Sequence, residues 1–235
     1  MLSVIAMQYY EHVNPPAPQI KIDRDAIFVG KREIVKTAVV AERNSFLVEL
    51  FNVLKSKRAN ELGKQKIRMQ IEPDIKYNIL YKVLTACAYT EDFSGIHITS
   101  KIDGKYYTET INMAKDDFYT PSCPKEIIIP STLLSEKEIY DKLNKYCTYF
   151  NIFVGDSLEI LTRYGRLPGI PHESLNDEFA ETLIRIRKRF IDSPDAEKIF
   201  VIAYKDTEVF KVIQVMSKAR AAGFTKIYLA TLGDL

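Results

Sequence analysis

The chain has 235 residues, of which 46% are apolar and 27% charged, a balance typical of a globular protein with a buried core and too apolar for a disordered chain. Its net charge of +2 gives no broad electrostatic attraction for a nucleic acid or an anionic membrane. Cys87, Cys123 and Cys147 form no CxxC motif, which argues against a zinc site and a disulfide framework. An oxidising compartment would still allow a disulfide bond between two of the three cysteines.

Residues 1–19 are predicted to be an apolar stub and a linker. Residues 1–10 are roughly half as long as the ~20 apolar residues that a transmembrane helix needs, and they lack the basic start and cleavage site of a signal peptide. Two interpretations stay open: a short element packed on the body, or the exit end of a membrane anchor that begins upstream of Met1. Three prolines predict an extended linker over residues 12–19.

The first half of the chain predicts a hairpin, a helix, a strand, a second helix and a second strand, in that order. Alternation of apolar residues marks the strands, and apolar residues three or four positions apart mark the helices. The predicted elements are a hairpin over residues 20–34, a helix opened by Ser45, a strand over 66–71, a helix over 77–89, and a strand over 95–100 that continues through a turn at Asp103 and Gly104 to residue 108.

The second half follows a polar segment with two prolines, residues 112–125, which is predicted to be the domain boundary. Gly223 is predicted to end the last helix, because only glycine adopts the left-handed conformation there at little cost. The predicted elements are a short strand over residues 126–129, a helix opened by Ser135 and Glu138, a hairpin over 151–162, a loop over 163–172, a helix opened by Ser174 and Asp177, a strand over 198–204, a helix over 209–222 and a strand over 226–231.

Both halves therefore have the same order of elements, with residues 66–100 matching residues 198–232. Asp74 aligns with Asp206, and Tyr77 aligns with Phe210 if one extra residue is allowed in the second copy. The sequence IFVG also occurs twice, at residues 27–30 and 152–155, but at different points of the two hairpins, which indicates coincidence.

The repeat predicts an α/β fold of the two-layer α+β type in two tandem small domains, residues 20–111 and 126–235. Each is expected to be a mixed sheet of four to five strands with two helices on one face. The alternative is a pair of unrelated α/β units with a similar element order.

The C-terminal stretch AYKDTEVFKVIQVMSKARAAGFTKIYLAT resembles the end of the ExbD/TolR family of energy-transducer subunits. In that family a strand ends in an aspartate-bearing turn, an aromatic residue opens a helix that ends in Ala-Gly, and a strand ending in Thr follows. Residues 20–34 and 126–130 resemble the early hairpin and first strand of the same family. The C-terminal positions that match are Asp206, Phe210, Val212, Met216, Ala222, Gly223, Lys226, Ala230 and Thr231.

The resemblance implies a non-enzymatic, extracytoplasmic subunit of a proton-driven ExbBD- or TolQR-like transport or motor complex. The implied partners are an ExbB/TolQ-like membrane protein and an outer-membrane energiser or peptidoglycan. The implied location is the periplasm, tethered to the inner membrane if an upstream anchor exists. The sequence departs from the family in lacking a complete anchor and its intramembrane aspartate, and in holding two copies that are expected to pair like a dimer. The implied partner or interface positions are Asp74, Tyr77, Asp206, Phe210, Gly223 and Thr231.

Two other functional classes stay open. One is a soluble adaptor of the same fold that binds peptidoglycan or a peptide strand without energy transduction. The other is an α/β enzyme, which would need a deep pocket with convergent polar groups.

Little in the sequence indicates catalysis, and no cofactor or metal is expected. His12, His97 and His172 have no ligand partner at metal spacing, and no GxSxG, GxGxxG or Walker A motif occurs. Two aspartate pairs, at residues 23/25 and 116/117, lie in predicted turns, where aspartate stabilises the backbone. A basic cluster is interpreted as a solvated helix end or as a contact for an acidic partner. Its members are Arg185, Arg187, Lys188 and Arg189.

Overall fold

A computed structural model of the protein describes residues 18–43, 46–56, 65–90, 93–112, 150–162, 165–166, 170–171, 177–188 and 196–232. The predictions made for residues 1–17, for 113–125, for the strand over 126–129 and for the helix opened by Ser135 lie outside these residues. The ends of the predicted linker and boundary were wrong by a residue, because Gln19 begins the first strand and Asn112 ends the sixth. The described part comprises two units, each built on its own sheet.

The first unit is a six-stranded mixed sheet in the order β3-β2-β1-β4-β5-β6. Strands β1, β4 and β5 are mutually parallel, and the outer pairs are antiparallel. Its elements are β1 (Gln19–Ile22), β2 (Ala26–Val29), β3 (Arg32–Lys36), α1 (Thr37–Glu42), α2 (Val48–Ser56), β4 (Gln65–Ile71), α3 (Tyr77–Tyr89), β5 (Phe93–Ile102) and β6 (Lys105–Asn112).

The second unit has the order β10-β8-β7-β11-β12, with β9 paired to β8. Strands β7, β11 and β12 are parallel, as their counterparts in the first unit are. Its elements are β7 (Phe150–Val154), β8 (Ser157–Thr162), β9 (Gly165–Arg166), β10 (Ile170–Pro171), α4 (Asp177–Lys188), β11 (Lys198–Tyr204), α5 (Val209–Ala221) and β12 (Lys226–Leu232).

The predicted fold class is confirmed: the protein is α+β with two mixed sheets and a two-domain arrangement. The predicted strand number was too low. The predicted hairpin turns again at Gly30, whose φ of 62° suits glycine, and the chain then forms the third strand β3. The second unit gains the two-residue strands β9 and β10, which are too short for an alternation pattern to predict.

The central strands of the two units pair in the same register. In the first, Ile20 lies opposite Met69 and Ile22 opposite Ile71. In the second, residue 152 lies opposite 201 and residue 154 opposite 203, so one spacing of 132 residues relates all four positions. The IFVG matches fall on β2 and β7, while the counterpart of β7 is β1, so that match is coincidental as predicted.

The core lies between the sheets and the helices. In α3, buried Tyr77, Leu80, Leu84 and Cys87 recur at the helical spacing expected from the sequence. One cluster of contacting buried side chains includes residues of both units, so the core is continuous between them. Complete burial of each large apolar side chain contributes about 1.5–3 kcal/mol.

Candidate functional site

The two units join where each chain leaves its central parallel strand and enters the following helix. We call residues 73–78 and 205–210 the inter-unit interface. The amide of Tyr77 donates to the carbonyl of Thr207 at 2.7 Å, and the amide of Val209 donates back to the carbonyl of Ile75 at 2.8 Å. A second reciprocal pair runs from Asn78 to the carbonyl of Lys205 (3.1 Å) and from Phe210 to the carbonyl of Pro73 (3.0 Å).

These hydrogen bonds replace the usual helix caps. The first amides of a helix have no partner within it, and a Ser, Thr, Asp or Asn side chain commonly accepts from one of them. The capping residues here are Lys76 before α3 and Glu208 before α5, and neither side chain makes a capping hydrogen bond. The first two amides of each helix are satisfied instead by carbonyls of the other unit.

Lys76 and Glu208 face each other as an isolated antiparallel bridge at the centre of the interface. The hydrogen bonds flank this pair symmetrically, which gives the interface a local two-fold relation, like that between subunits of a homodimer. The relation equates Tyr77 with Val209, and Asn78 with Phe210. The predicted match of Tyr77 to Phe210 through an extra residue was therefore wrong, because both helices begin 132 residues apart without an insertion.

Four of the predicted interface positions lie within this region. The Asp74 carboxylate accepts a hydrogen bond from Arg24 Nε at 2.6 Å, which fixes the β1–β2 turn against the interface. Asp206 is exposed, and Phe210 is half-buried with Lys211 Nζ 6.0 Å from its ring centroid. Tyr77 is fully buried, and desolvation raises the pKa of its hydroxyl well above the ordinary value.

The remaining two predicted positions lie elsewhere. Thr231 lies in β12 in register with Ala203. This position is near the C-terminal ends of the parallel strands, where residues 205–210 follow β11. Gly223 ends α5 at the helix terminus remote from the interface, with a φ of 92°. Its amide donates to the carbonyl of Arg220 at 2.8 Å, so the predicted helix end is correct and the role of Gly223 is structural.

The basic cluster is divided between structural and exposed positions. Arg187 lies over Gly223 and donates to the carbonyl of Ala196 at 3.3 Å, so it holds the end of α5 against the start of β11. Arg185 is exposed and donates to the hydroxyl of Thr182 at 3.2 Å. Lys188 is exposed, and Arg189 lies outside the described residues. Contact with an acidic partner through this cluster stays a prediction.

A second contact between the units involves residues that the sequence analysis did not select. The Glu109 side chain is 7% exposed, and its carboxylate accepts a hydrogen bond at 3.4 Å from Arg220 Nε of the second unit. Arg220 Nη2 also donates to the carbonyl of Thr110 at 2.8 Å. Burial raises the pKa of Glu109, and the charge of Arg220 opposes that rise. The signal was available: Glu109 shares the inward face of β6 with Ile111, where a carboxylate needs a partner.

Lys82 is another buried charge that the sequence analysis passed over. It lies on α3, and its Nζ donates to the carbonyl of Val40 at 2.9 Å and to that of Arg43. Both carbonyls belong to the C-terminal end of α1, so Lys82 closes that helix. Desolvation lowers the pKa of its ammonium group.

Comparison with protein-family models gives no match, and comparison with curated proteins gives no relative. The described helices include none with the length and apolar composition that a membrane span requires. Within the described residues, His, Cys, Asp and Glu side chains form no group of three that could hold a metal ion.

Proposed function

We propose that this protein is a non-enzymatic, extracytoplasmic subunit of a proton-motive-force-driven complex of the ExbBD or TolQR kind, and that it transmits motion by protein–protein contact. The observation that carries the proposal is the reciprocal set of hydrogen bonds at the inter-unit interface. Two copies of one unit, joined in a single chain, complete each other's helices as two subunits of a dimer would.

The chemistry of the interface supports a mechanical role. Among its polar groups, the amides of Tyr77 and Val209 cap helices, and Asp74 contacts the β1–β2 turn through Arg24. Such contacts hold two sheets in one orientation, so a force applied to one unit passes to the other through a continuous core. The C-terminal resemblance to the ExbD/TolR family supplies the class of complex in which that role fits.

The proposal is tested by isolating the full-length protein, with an affinity tag, from membranes of its own host. An ExbB/TolQ-like protein is expected to co-purify, and deletion of the gene is expected to impair energised uptake or envelope integrity. Unchanged phenotypes in the deletion strain, together with a purification that contains no such membrane protein, would contradict the proposal.

A reversible cross-link tests whether the two units work as one body. Residues flanked by hydrogen bonds in an antiparallel bridge have Cα atoms about 4.5 Å apart, a distance that a disulfide spans. The double variant Lys76→Cys/Glu208→Cys should therefore form a disulfide bond across the interface. It should still restore energised uptake or envelope integrity in the deletion strain. Each single variant serves as the control. Loss of activity on oxidation, with recovery on reduction, would show instead that the units must separate.

A further inference from the structure

The face of the first sheet that points away from the helices carries a set of cations, which we call the basic face. Along β4, Lys66, Arg68 and Gln70 alternate with buried residues and are exposed. The registers place Lys21 of β1 beside Gln70, and His97 of β5 beside Arg68. The basic face consists of Lys21, Lys66, Arg68 and Lys101, with Gln70, His97 and Thr99 between them.

Three of the four cations, Lys66, Arg68 and Lys101, have no ion pair with a described residue. Within the described strands β1, β4, β5 and β6, no outward-facing position holds a carboxylate, and among the described residues Lys21 is the member of the basic face with a paired acid, Asp23 at 2.7 Å. The pKa of His97 is lowered, first by desolvation and then by the positive charges of Lys66 and Arg68. Like charges gathered without a counter-charge disfavour the folded state, so the arrangement calls for an explanation other than stability.

The second unit shows that the fold does not require cations at these positions. When the two units are aligned with the spacing of 132 residues, Lys21 corresponds to Phe153, Arg68 to Phe200 and Gln70 to Ile202. These counterparts are buried apolar residues, 4%, 7% and 3% exposed. The same spacing carries Lys66 to Lys198, which keeps the cation, whereas the counterparts of Lys21 and Arg68 are apolar and buried in the second copy.

We propose that the basic face binds an extended acidic segment of a protein partner. Side chains on one face of a strand recur every 6.6–6.8 Å or so, which is the spacing from Lys66 to Arg68. A partner segment in extended conformation repeats its alternate side chains at the same distance, so a Glu-x-Glu pattern presents one carboxylate to each cation. Gln70 and the hydroxyl of Thr99 add neutral donors beside them. This inference does not depend on energy coupling by the protein.

The aromatic residues on this face favour a peptide over a nucleic acid or a membrane. Binding of single-stranded nucleic acid uses exposed rings on which bases stack. Here Lys21 Nζ lies 5.7 Å from the ring centroid of Phe28, and Lys101 Nζ lies 5.6 Å from that of Tyr106. Cations of the basic face therefore already make cation–π contacts with both rings. A membrane-binding surface inserts several apolar side chains, whereas Tyr106 is the large apolar residue exposed on this face.

The test uses the full chain and a fluorescent peptide of four Glu-Ser repeats, with binding followed by anisotropy. We expect affinity to fall as salt rises from about 0.05 M to about 0.3 M, because screening weakens contacts between exposed charges. The variant Lys66→Glu/Arg68→Glu should bind about tenfold more weakly. The matched control Lys55→Glu/Lys226→Glu makes the same charge change at exposed positions on α2 and β12 and should bind as the parent chain does.

A second readout locates the bound peptide without a variant. The chain has three histidines, so the His97 resonance can be assigned and titrated by NMR. Carboxylates bound at the basic face should raise the pKa of His97. An unmoved His97 pKa at saturation, or equal loss of affinity in both double variants, would overturn the proposal. So would tighter binding of a thymidine 12-mer or of phosphatidylglycerol vesicles than of the peptide.

Discussion

Tyr77 and Thr207 belong to different units, yet the amide that begins helix α3 donates to the carbonyl of Thr207 at 2.7 Å. The amide that begins α5, on Val209, does the same toward Ile75 at 2.8 Å. Each unit therefore completes the secondary structure of the other. This interdependence explains why the capping positions, Lys76 and Glu208, carry side chains that are poor helix caps in an isolated domain.

Substitution of Val209 by proline tests that interdependence directly. Proline is ordinarily well tolerated at the first position of a helix, because the amide there is unpaired, and Glu208 already has the extended backbone that a following proline favours. Here the amide is paired across the interface, so Val209→Pro should lower the free energy of unfolding by about 1–3 kcal/mol more than Val209→Ala does. Urea denaturation of both variants measures the difference.

The alanine variant is the necessary control, since Val209 is fully buried and its loss alone leaves a cavity. Equal stability of the proline and alanine variants would mean that the hydrogen bond to Ile75 contributes nothing, and the interface would lose its main support.

The sequence predicted the repeated order of elements because apolar periodicity is a local property, and α3, β11 and α5 all appear where the pattern placed them. The positions implied by the family resemblance, such as Asp74 and Asp206, stay predictions of a partner surface. The sequence did not predict how the units meet, because the bonds joining residues 73–78 to 205–210 are made by backbone atoms, which carry no residue-specific signal. Glu109 and Lys82 were missed for a different reason: a single charge on an apolar face predicts a partner but does not identify it.

Gly223 offers a test of a close approach between helix ends. Its φ of 92° costs about 1–2 kcal/mol for a residue with a side chain, and an added Cβ would lie 2.5 Å from Nη1 of Arg187. Relief of that contact moves the Arg187 guanidinium away from the carbonyl of Ala196, so Gly223→Ala should destabilise the protein more than Gly104→Ala, since Gly104 has a φ of 79° and open space around the Cβ position. Thermal unfolding of the two variants makes the comparison. A larger loss at Gly104 would show that the Arg187 contact is immaterial.

The Glu109 carboxylate predicts a pH dependence of stability. Burial raises its folded-state pKa above its unfolded value, so the folded state favours the protonated form. The stability that this group contributes is complete below the unfolded pKa and is lost as pH rises through the raised folded pKa. The stability of Glu109→Gln relative to the parent chain should therefore increase as pH rises from the ordinary glutamate pKa of about 4.3 through the raised folded-state pKa.

Urea denaturation across that pH range measures the effect, with Glu181→Gln as the exposed control. A constant difference between parent and Glu109→Gln would show that Arg220 fully offsets the burial of the carboxylate.

Lys82 predicts a local effect within the first unit. Its ammonium group donates to the carbonyls of Val40 and Arg43. These carbonyls lie at the C-terminal end of α1, where the helix itself supplies no hydrogen-bond donor. Because α1 has six residues, it depends on such contacts more than on its own propensity. Lys82→Met keeps the apolar stem and removes the donors, so it should lower the free energy of unfolding by about 1–3 kcal/mol.

The lowered pKa of Lys82 also predicts the direction in which stability changes with pH. A folded-state pKa below the ordinary 10.5 means that the charged form is disfavoured on folding, so the parent chain should gain stability relative to Lys82→Met as pH rises from that lowered pKa toward 10.5. Hydrogen exchange supplies the local readout: amides of α1 should exchange faster in Lys82→Met and at the parent rate in the exposed control Lys31→Met. Unchanged exchange in α1 would mean that other contacts, rather than Lys82, hold the end of that helix.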